Sequence, residues 1–124
     1  MTEFVEVKTS ELTGAALDWA VAKAEGMPAL IYPTDPHYVY IDMPGRGCGP
    51  YMPSHAWFEG GPLIEKYKLD IGAPMENQNG PWNAATEWAH PLGYKGDTPL
   101  IAACRAIVAS VLGDTVSVPK ELLS

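Results

Sequence analysis

Residues 96–114 read GDTPLIAACRAIVASVLGD, and this stretch carries the clearest helix signals in the chain. Asp97 or Thr98 can cap a first turn that begins at Pro99, and Gly113 suits the residue that follows the last turn. The body between them is apolar on nearly every side. We therefore predict a helix that is either buried on more than one face or packed against another subunit.

A second helix is predicted between Thr13, its N-cap, and Gly26, which suits the position after its end. Its apolar stripe begins at Leu17 and continues at the spacing of one helix face. Asp18 does not belong to that stripe, so we expect its carboxylate at the surface. The two helices enclose a middle that is rich in glycine, proline and aromatic residues.

Shorter elements are predicted outside these helices. Alternating or β-branched residues predict strands at residues 4–8, 29–32, 37–42, 82–89 and 116–118. We expect a long loop at residues 43–61, a short helix at residues 62–67 that starts on Pro62, and turns at residues 71–81. With 124 residues the chain fits one domain, residues 1–124. The predicted class is α+β, with a small, mainly antiparallel sheet flanked by the two longer helices and a loop-rich middle.

The charge of the chain limits its partners. The formal net charge is −7, with 15 acidic residues against 8 Lys and Arg. This balance argues against direct binding to nucleic acid, which depends on cationic side chains. The carboxylates are also spread out, unlike the dense rows that a DNA mimic needs. No run of about 18 apolar residues suggests a membrane span, and the first residues lack the order of a secretory signal. We expect a cytoplasmic protein with reduced cysteines at Cys48 and Cys104.

Three blocks of sequence suggest a family. The first has LTG at 12–14 and LDWAVA at 17–22, and the middle block has Tyr51, PS at 53–54, Trp57 and GGPLIE at 60–65. The last has TPLIAA at 98–103, Arg105 and VAS at 108–110. In this order the blocks resemble the NinX-like proteins of tailed bacteriophages. The resemblance implies a phage or prophage accessory protein acting inside a bacterial cell. It implies no reaction, and no catalytic residue is carried over from it.

The residues themselves do not spell out catalytic chemistry. The histidines at positions 37, 55 and 90 lack the spacing of metal ligands, so no metal and no cofactor are predicted. Ser54 and Ser110 lack a nucleophile elbow, and no base is paired with Cys48 by spacing. We therefore expect a protein that binds without catalysis. A small nucleotide hydrolase remains an open alternative.

Two patterns predict a binding site. Gly60 and Gly61 precede Pro62 at the expected helix start, where free backbone amides attract anions, and the turn before Pro99 offers a second such place. Four Trp and six Tyr are more rings than a small core needs, and flat rings stack on bases. The alternative is that these rings form the core of an irregular fold. The predicted ligand-binding residues are Trp19, Lys23, Tyr40, Arg46, Tyr51, Ser54, Trp57, Gly60, Gly61, Trp82, Trp88, Thr98 and Arg105.

These patterns together predict a phage protein that sequesters a small nucleotide-like ligand, such as a defence signal of the host. The first alternative is a protein–protein adaptor or an inhibitor of a host enzyme, and the hydrolase is the second. Self-association also stays open. The terminal helix has a stripe of small residues that suits either a second copy or the first helix of the same chain, at Ala102, Ala103, Ala106, Ala109 and Ser110.

Overall fold

The computed structural model describes residues 3–32, 34–74, 81–86 and 93–123, with residues 35–37 described through their backbone alone. In these ranges the chain forms three α-helices, which are α1 Gly14–Ala24, α2 Trp57–Tyr67 and α3 Pro99–Leu112. The strands are β1 Phe4–Lys8, β2 Ala29–Tyr32, β3 Asp35–Met43, β4 Gly47–Tyr51, β5 Asp70–Gly72, β6 Trp82–Ala85, β7 Tyr94–Gly96 and β8 Thr115–Pro119. The predicted α+β class is confirmed.

All strand pairs in the described ranges are antiparallel, as predicted, but the strands are divided among three small sheets. The first sheet pairs β1 with β8, so that Phe4 lies opposite Pro119 and Lys8 opposite Thr115. The second has the order β2-β3-β4 and the third the order β5-β6-β7. The sequence analysis did not predict β5 or β7, because both are short strands next to turn-rich sequence.

The helix α3 lies at the centre of the fold and has the predicted ends. The Thr98 hydroxyl accepts a hydrogen bond from the Ile101 amide at 3.1 Å, and the helix stops one residue before Gly113. One side of α3 packs against α1, and another packs against the sheet β5-β6-β7. The helix is therefore buried on more than one face, as its all-round apolar composition predicted.

The small residues of α3 face the third sheet. Ala102, Ala103 and Ala106 are buried in one cluster with Ala84 of β6. Gly96 allows this close approach, because a side chain there would collide with the backbone of Ala102. This part of the small stripe is thus covered inside the chain by a sheet, and by neither of the two partners that the sequence suggested, whereas Ala109 is half-buried and Ser110 is exposed. Self-association stays a prediction.

The helix α1 has the predicted limits but one wrong surface assignment. It runs between Thr13 and Gly26, which has the positive φ of 72° that glycine tolerates. Its residues 16–22 are all buried, since α1 packs against both α3 and β3. Asp18 was expected at the surface, yet only 2% of it is exposed. The prediction assumed that α1 buries one apolar stripe, whereas α3 and β3 together cover more of its surface.

The predicted loop at residues 43–61 is wrong. It contains β4 and the first turns of α2, which begins at Trp57. Pro62 therefore lies inside the helix, although its fixed φ and missing N–H favour a first helical position. The predicted strand at residues 82–89 is present as β6 up to Ala85, and its last three residues lie outside the described ranges. None of the helices in the described part of the chain is long and apolar enough to cross a membrane.

Candidate functional site

The sequence-predicted residues Arg46 and Tyr51 meet between the second sheet and α2. The Arg46 guanidinium donates to the carbonyl oxygens of Ile41 at 2.8 Å and Pro50 at 2.7 Å. It also forms a 2.8 Å salt bridge with Glu59 of α2, and its carbon lies 5.9 Å from the centre of the Tyr51 ring. The other Glu59 oxygen accepts from the Met52 amide at 2.6 Å. Through these contacts the Arg46 guanidinium connects β4 to α2.

A second polar contact joins α1 to the turn that precedes α2. The Ser54 amide donates to Oδ1 of Asp18 at 2.9 Å, and the Ser54 hydroxyl lies 3.0 Å from Nδ1 of His55. Burial raises the pKa of Asp18 to about 6, while the hydrogen bonds from Ser54 and the charge of His55 act in the opposite direction. Only 1% of Ser54 is exposed, so its hydroxyl cannot reach a substrate. The geometry resembles a relay of polar groups, but it lacks an accessible nucleophile.

The two cysteines lie in different environments. Cys48 is exposed on β4, and its sulfur lies 3.6 Å from the hydroxyl of Tyr32. Cys104 is buried inside α3, and burial raises the pKa of its thiol. Within the described ranges, no three His, Cys, Asp or Glu side chains lie close enough together to hold a metal ion.

The predicted anion site at Gly60 and Gly61 is not formed, because no helix starts there. The Gly60 amide donates to the carbonyl of Ala56 at 2.8 Å inside α2 and is therefore not free. A side chain at Gly60 would overlap the carbonyl oxygen of Pro53, so this glycine serves close packing. Before α3, the Thr98 hydroxyl already caps the helix.

The aromatic residues that the sequence proposed as a single site are dispersed. Trp19 is buried, with the Lys23 ammonium 5.5 Å from its ring centre. Tyr40 meets Tyr32 edge to face at 4.7 Å on the second sheet. Trp82 is half-buried against the alanine cluster of α3. Trp57 is 58% exposed at the start of α2, and Trp88 lies outside the described residues.

A groove of about 520 Å³ provides a different candidate site. It lies where the end of β1, the strand β7, the middle of α3 and the start of β8 meet. Its volume is within the usual range of small-molecule sites. The described residues that line it are Lys8, Ser10, Gly93, Tyr94, Lys95, Arg105, Asp114 and Thr115. We call it the basic groove. Arg105 is the predicted site residue that lines it.

Arg105 is fixed in the basic groove by two backbone carbonyls. Its Nε donates to Leu12 at 2.9 Å, and its Nη1 donates to Lys95 at 2.6 Å. No salt bridge joins it to a carboxylate of the described residues, and Nη2 donates no hydrogen bond to them. Burial lowers the pKa of this guanidinium, and the charge of Asp97 acts in the opposite direction. A partly desolvated cation with unused donors favours an anionic ligand.

The groove is cationic on a chain that is strongly acidic as a whole. Its described lining includes three cations, Lys8, Lys95 and Arg105, and one carboxylate, that of Asp114. The chain as a whole has a net charge of −7. Lys8 and Lys95 are exposed and form no salt bridge with another described residue. A concave surface lined by one sign of charge concentrates ions of the other sign. The sequence analysis missed this groove, because its cations are distant in sequence and follow no motif.

The Tyr94 side chain supplies the aromatic ring of the groove. Its hydroxyl donates to Oδ1 of Asp114 at 2.8 Å, and its ring borders the buried alanine cluster. Burial, followed by the hydrogen bond to Asp114, raises the pKa of Tyr94. The ring is therefore a neutral, supported surface beside the cations.

Comparison with known families agrees with the resemblance seen in the sequence. The family model described as "Bacteriophage P22, NinX" matches residues 8–111, which is most of the chain. The matched part includes Lys8, Lys95 and Arg105, whereas Asp114 and Thr115 of the groove lie beyond it. No curated protein matches the chain.

Proposed function

Because the chain belongs to the NinX family of bacteriophage proteins, we propose that it is a phage accessory protein that sequesters a small nucleotide-like ligand in its basic groove. The ligand is held and released unchanged. In an infected cell, such binding lowers the free concentration of the ligand, and a signal of host defence is the class that fits this role. The observation that carries the proposal is the gathering of three cations around one groove of an acidic chain.

The groove offers the contacts that a nucleotide needs. Phosphate oxygens can accept charge-assisted hydrogen bonds from Lys8, Lys95 and Nη2 of Arg105, which donates to none of the described residues. Arg105 is already held by two carbonyls, so little side-chain entropy is lost when it meets a ligand. The Tyr94 ring also lines the groove, and aromatic rings contribute to nucleotide binding through contact with the base.

The lining favours binding over hydrolysis. Among the described residues it contains neither His nor Cys, and its single carboxylate, Asp114, already accepts a hydrogen bond from Tyr94. General acid–base catalysis needs a group that can exchange a proton with the substrate near the working pH. Lysine and arginine side chains on a phosphate provide affinity without this step.

Calorimetry with ADP, cyclic AMP and ADP-ribose tests the proposal. We expect at least one of them to bind, with an affinity that falls as salt concentration rises. The double variant Lys8→Gln/Lys95→Gln should lower that affinity about tenfold or more, since two charge-assisted contacts are lost. The charge-matched control Lys68→Gln/Lys120→Gln changes exposed lysines outside the groove and should bind as the wild type does.

Two outcomes contradict the proposal. One is the absence of heat with every phosphate compound, and the other is equal binding by both double variants. Denaturing the complex distinguishes sequestration from hydrolysis. A protein that only sequesters the ligand releases it intact, whereas a hydrolase releases products.

An exposed aromatic pair favours the adaptor or inhibitor of a host enzyme as a second candidate. Trp57 and Phe58 begin α2 and are 58% and 75% exposed. Large exposed rings often mark protein interfaces. A pull-down from bacterial lysate should then yield a stoichiometric protein that Phe58→Ser loses and that Leu30→Ser, on an exposed residue of β2, retains. Retention by both variants would contradict an interface at α2.

A further inference from the structure

We propose that Asp114 is the specificity-determining residue of the basic groove, where its carboxylate accepts a hydrogen bond from a neutral donor on the same ligand as the phosphate. The donor is a sugar hydroxyl or an amino group of the base. This inference rests on the proposed function, because it concerns which phosphate compounds the groove prefers.

Asp114 is held in place by contacts on both its side chain and its backbone. Its Oδ1 accepts from the Tyr94 hydroxyl at 2.8 Å. Its backbone carbonyl accepts from the Thr9 amide at 2.8 Å, and the Thr9 hydroxyl donates to the neighbouring carbonyl of Gly113 at 2.7 Å. Thr9 is fully buried, so this anchor is part of the folded core. The carboxylate therefore has a fixed position at the groove.

A carboxylate in this position is unfavourable for a ligand that is only a phosphate. Its negative charge repels a phosphate that is held by Lys8, Lys95 and Arg105. In the described ranges, Asp114 forms no salt bridge with any of the three cations. Charge neutralisation of a neighbouring cation therefore does not explain why a carboxylate lies in this groove. Oδ2 accepts no hydrogen bond from the described residues.

The hydrogen-bonding capacity of the group indicates what it selects. An ionised carboxylate only accepts hydrogen bonds, and Asp114 is exposed, so its Oδ2 can exchange a water donor for a donor on the ligand. Nucleotides carry such donors beside their phosphates, and carboxylates in nucleotide sites commonly bind ribose hydroxyls. A phosphate compound without hydroxyl or amino groups is repelled by the Asp114 carboxylate and donates no hydrogen bond to it. We infer that the groove prefers nucleotides over such compounds.

Calorimetry with ADP and trimetaphosphate, a cyclic phosphate that lacks hydroxyl and amino groups, tests the inference. The wild type should bind ADP more tightly. In Asp114→Asn the amide oxygen still accepts from Tyr94, while the amide NH₂ faces the ligand donor. We expect tighter trimetaphosphate binding in this variant, and a preference for ADP that is at least about tenfold smaller, as for one lost hydrogen bond to a charged group. Asp42→Asn makes the same change on an exposed carboxylate of β3 and should keep the wild-type preference.

Two analogues of ADP identify the donor. If 2′-deoxy-ADP loses the wild-type preference, the donor is the sugar hydroxyl. If IDP, which lacks the amino group, loses it, the donor is the base. Either result supports the inference.

Three outcomes overturn the inference. If Asp114→Asn binds both ADP and trimetaphosphate with the wild-type affinities, Asp114 only supports Tyr94, and the proposed function stands. If the variant strengthens both ligands equally, Asp114 acts through charge alone. If the wild type binds neither compound, the proposed function fails and this inference fails with it. A thermal melt of Asp114→Asn confirms that the variant is folded.

Discussion

The buried Asp18 carboxylate should make the stability of the protein depend on pH in a specific direction. Its pKa is raised from the usual 3.8 to about 6 by burial. Below its unfolded pKa the group is protonated in both states. As the pH rises towards 6, the unfolded chain releases the proton before the folded chain does, so the stability of the folded state falls. About one unit above pH 6 the carboxylate is ionised in both states, and its contribution no longer changes.

The size of the effect follows from the shift. Each pKa unit corresponds to about 1.4 kcal/mol, so the free energy of unfolding should lose on the order of 3 kcal/mol through Asp18 between pH 4 and pH 7.5. Asp18→Asn removes the titration, while its side-chain oxygen still accepts from the Ser54 amide. We therefore expect the difference in free energy of unfolding between variant and wild type to change by this amount across the pH range.

Urea denaturation at a series of pH values measures that difference. Subtracting the variant from the wild type cancels the groups that titrate equally in both. His55 and Glu59 also face Asp18, so the measurement is repeated in a His55→Gln background, where the same trend should persist. Asp42→Asn, on an exposed carboxylate, serves as the matched control. A difference between wild type and Asp18→Asn that stays flat from pH 4 to pH 7.5 would refute the reasoning.

Other substitutions test the packing around α2 and α3 by chemical denaturation. Gly60→Ala should lower the free energy of unfolding by about 1–3 kcal/mol, because its methyl group would overlap a backbone carbonyl. The neighbouring Gly61→Ala should leave it unchanged or raise it by up to about 1 kcal/mol, because only ordinary contacts surround that position; equal effects of the two would contradict the packing. Thr98→Ala should lower the free energy of unfolding by about 1 kcal/mol, because the helix loses its cap. An unchanged free energy would show that water replaces the Thr98 hydroxyl as the acceptor for the Ile101 amide. Arg46→Met should cost about 1–3 kcal/mol by leaving the nearly buried Glu59 carboxylate without its cation, and Arg46→Met combined with Glu59→Gln should recover part of that loss.

The elements that the sequence predicted well depend on local signals. The end of α1 follows from Gly26, and the start of α3 follows from Thr98 and Pro99, whose effects act within one helical turn. Thr13 has the N-cap position of α1, although its side chain forms no capping hydrogen bond. The short strands with β-branched residues, such as β1, were found for the same reason. The NinX resemblance rested on blocks that overlap these elements, and the family match confirms it.

The features that the sequence missed depend on contacts between distant residues. Pro62 signalled a helix start, but α2 begins earlier, and its first turn includes Glu59, which the distant Arg46 holds. Asp18 was predicted at the surface because its hydrogen-bond partner Ser54 is 36 positions away, and no local pattern connects the two residues.

The basic groove was missed for the same reason. Lys8 and Lys95 come together only after the β1-β8 pair and the sheet β5-β6-β7 have packed with α3, and no local pattern marks either lysine as part of a site. Of the predicted site residues that the structure describes, Arg105 alone lines this groove.

The pairing of the first strand with the last has a consequence for when the protein becomes competent during its synthesis. Lys8 belongs to β1, which emerges from the ribosome before the other described strands, whereas Thr115 belongs to β8, which emerges after them. Until β8 emerges, β1 has no partner strand, and Asp114 cannot take its place beside Tyr94. A translation product that stops within α3 after Arg105 would therefore contain all three cations and still lack the assembled groove.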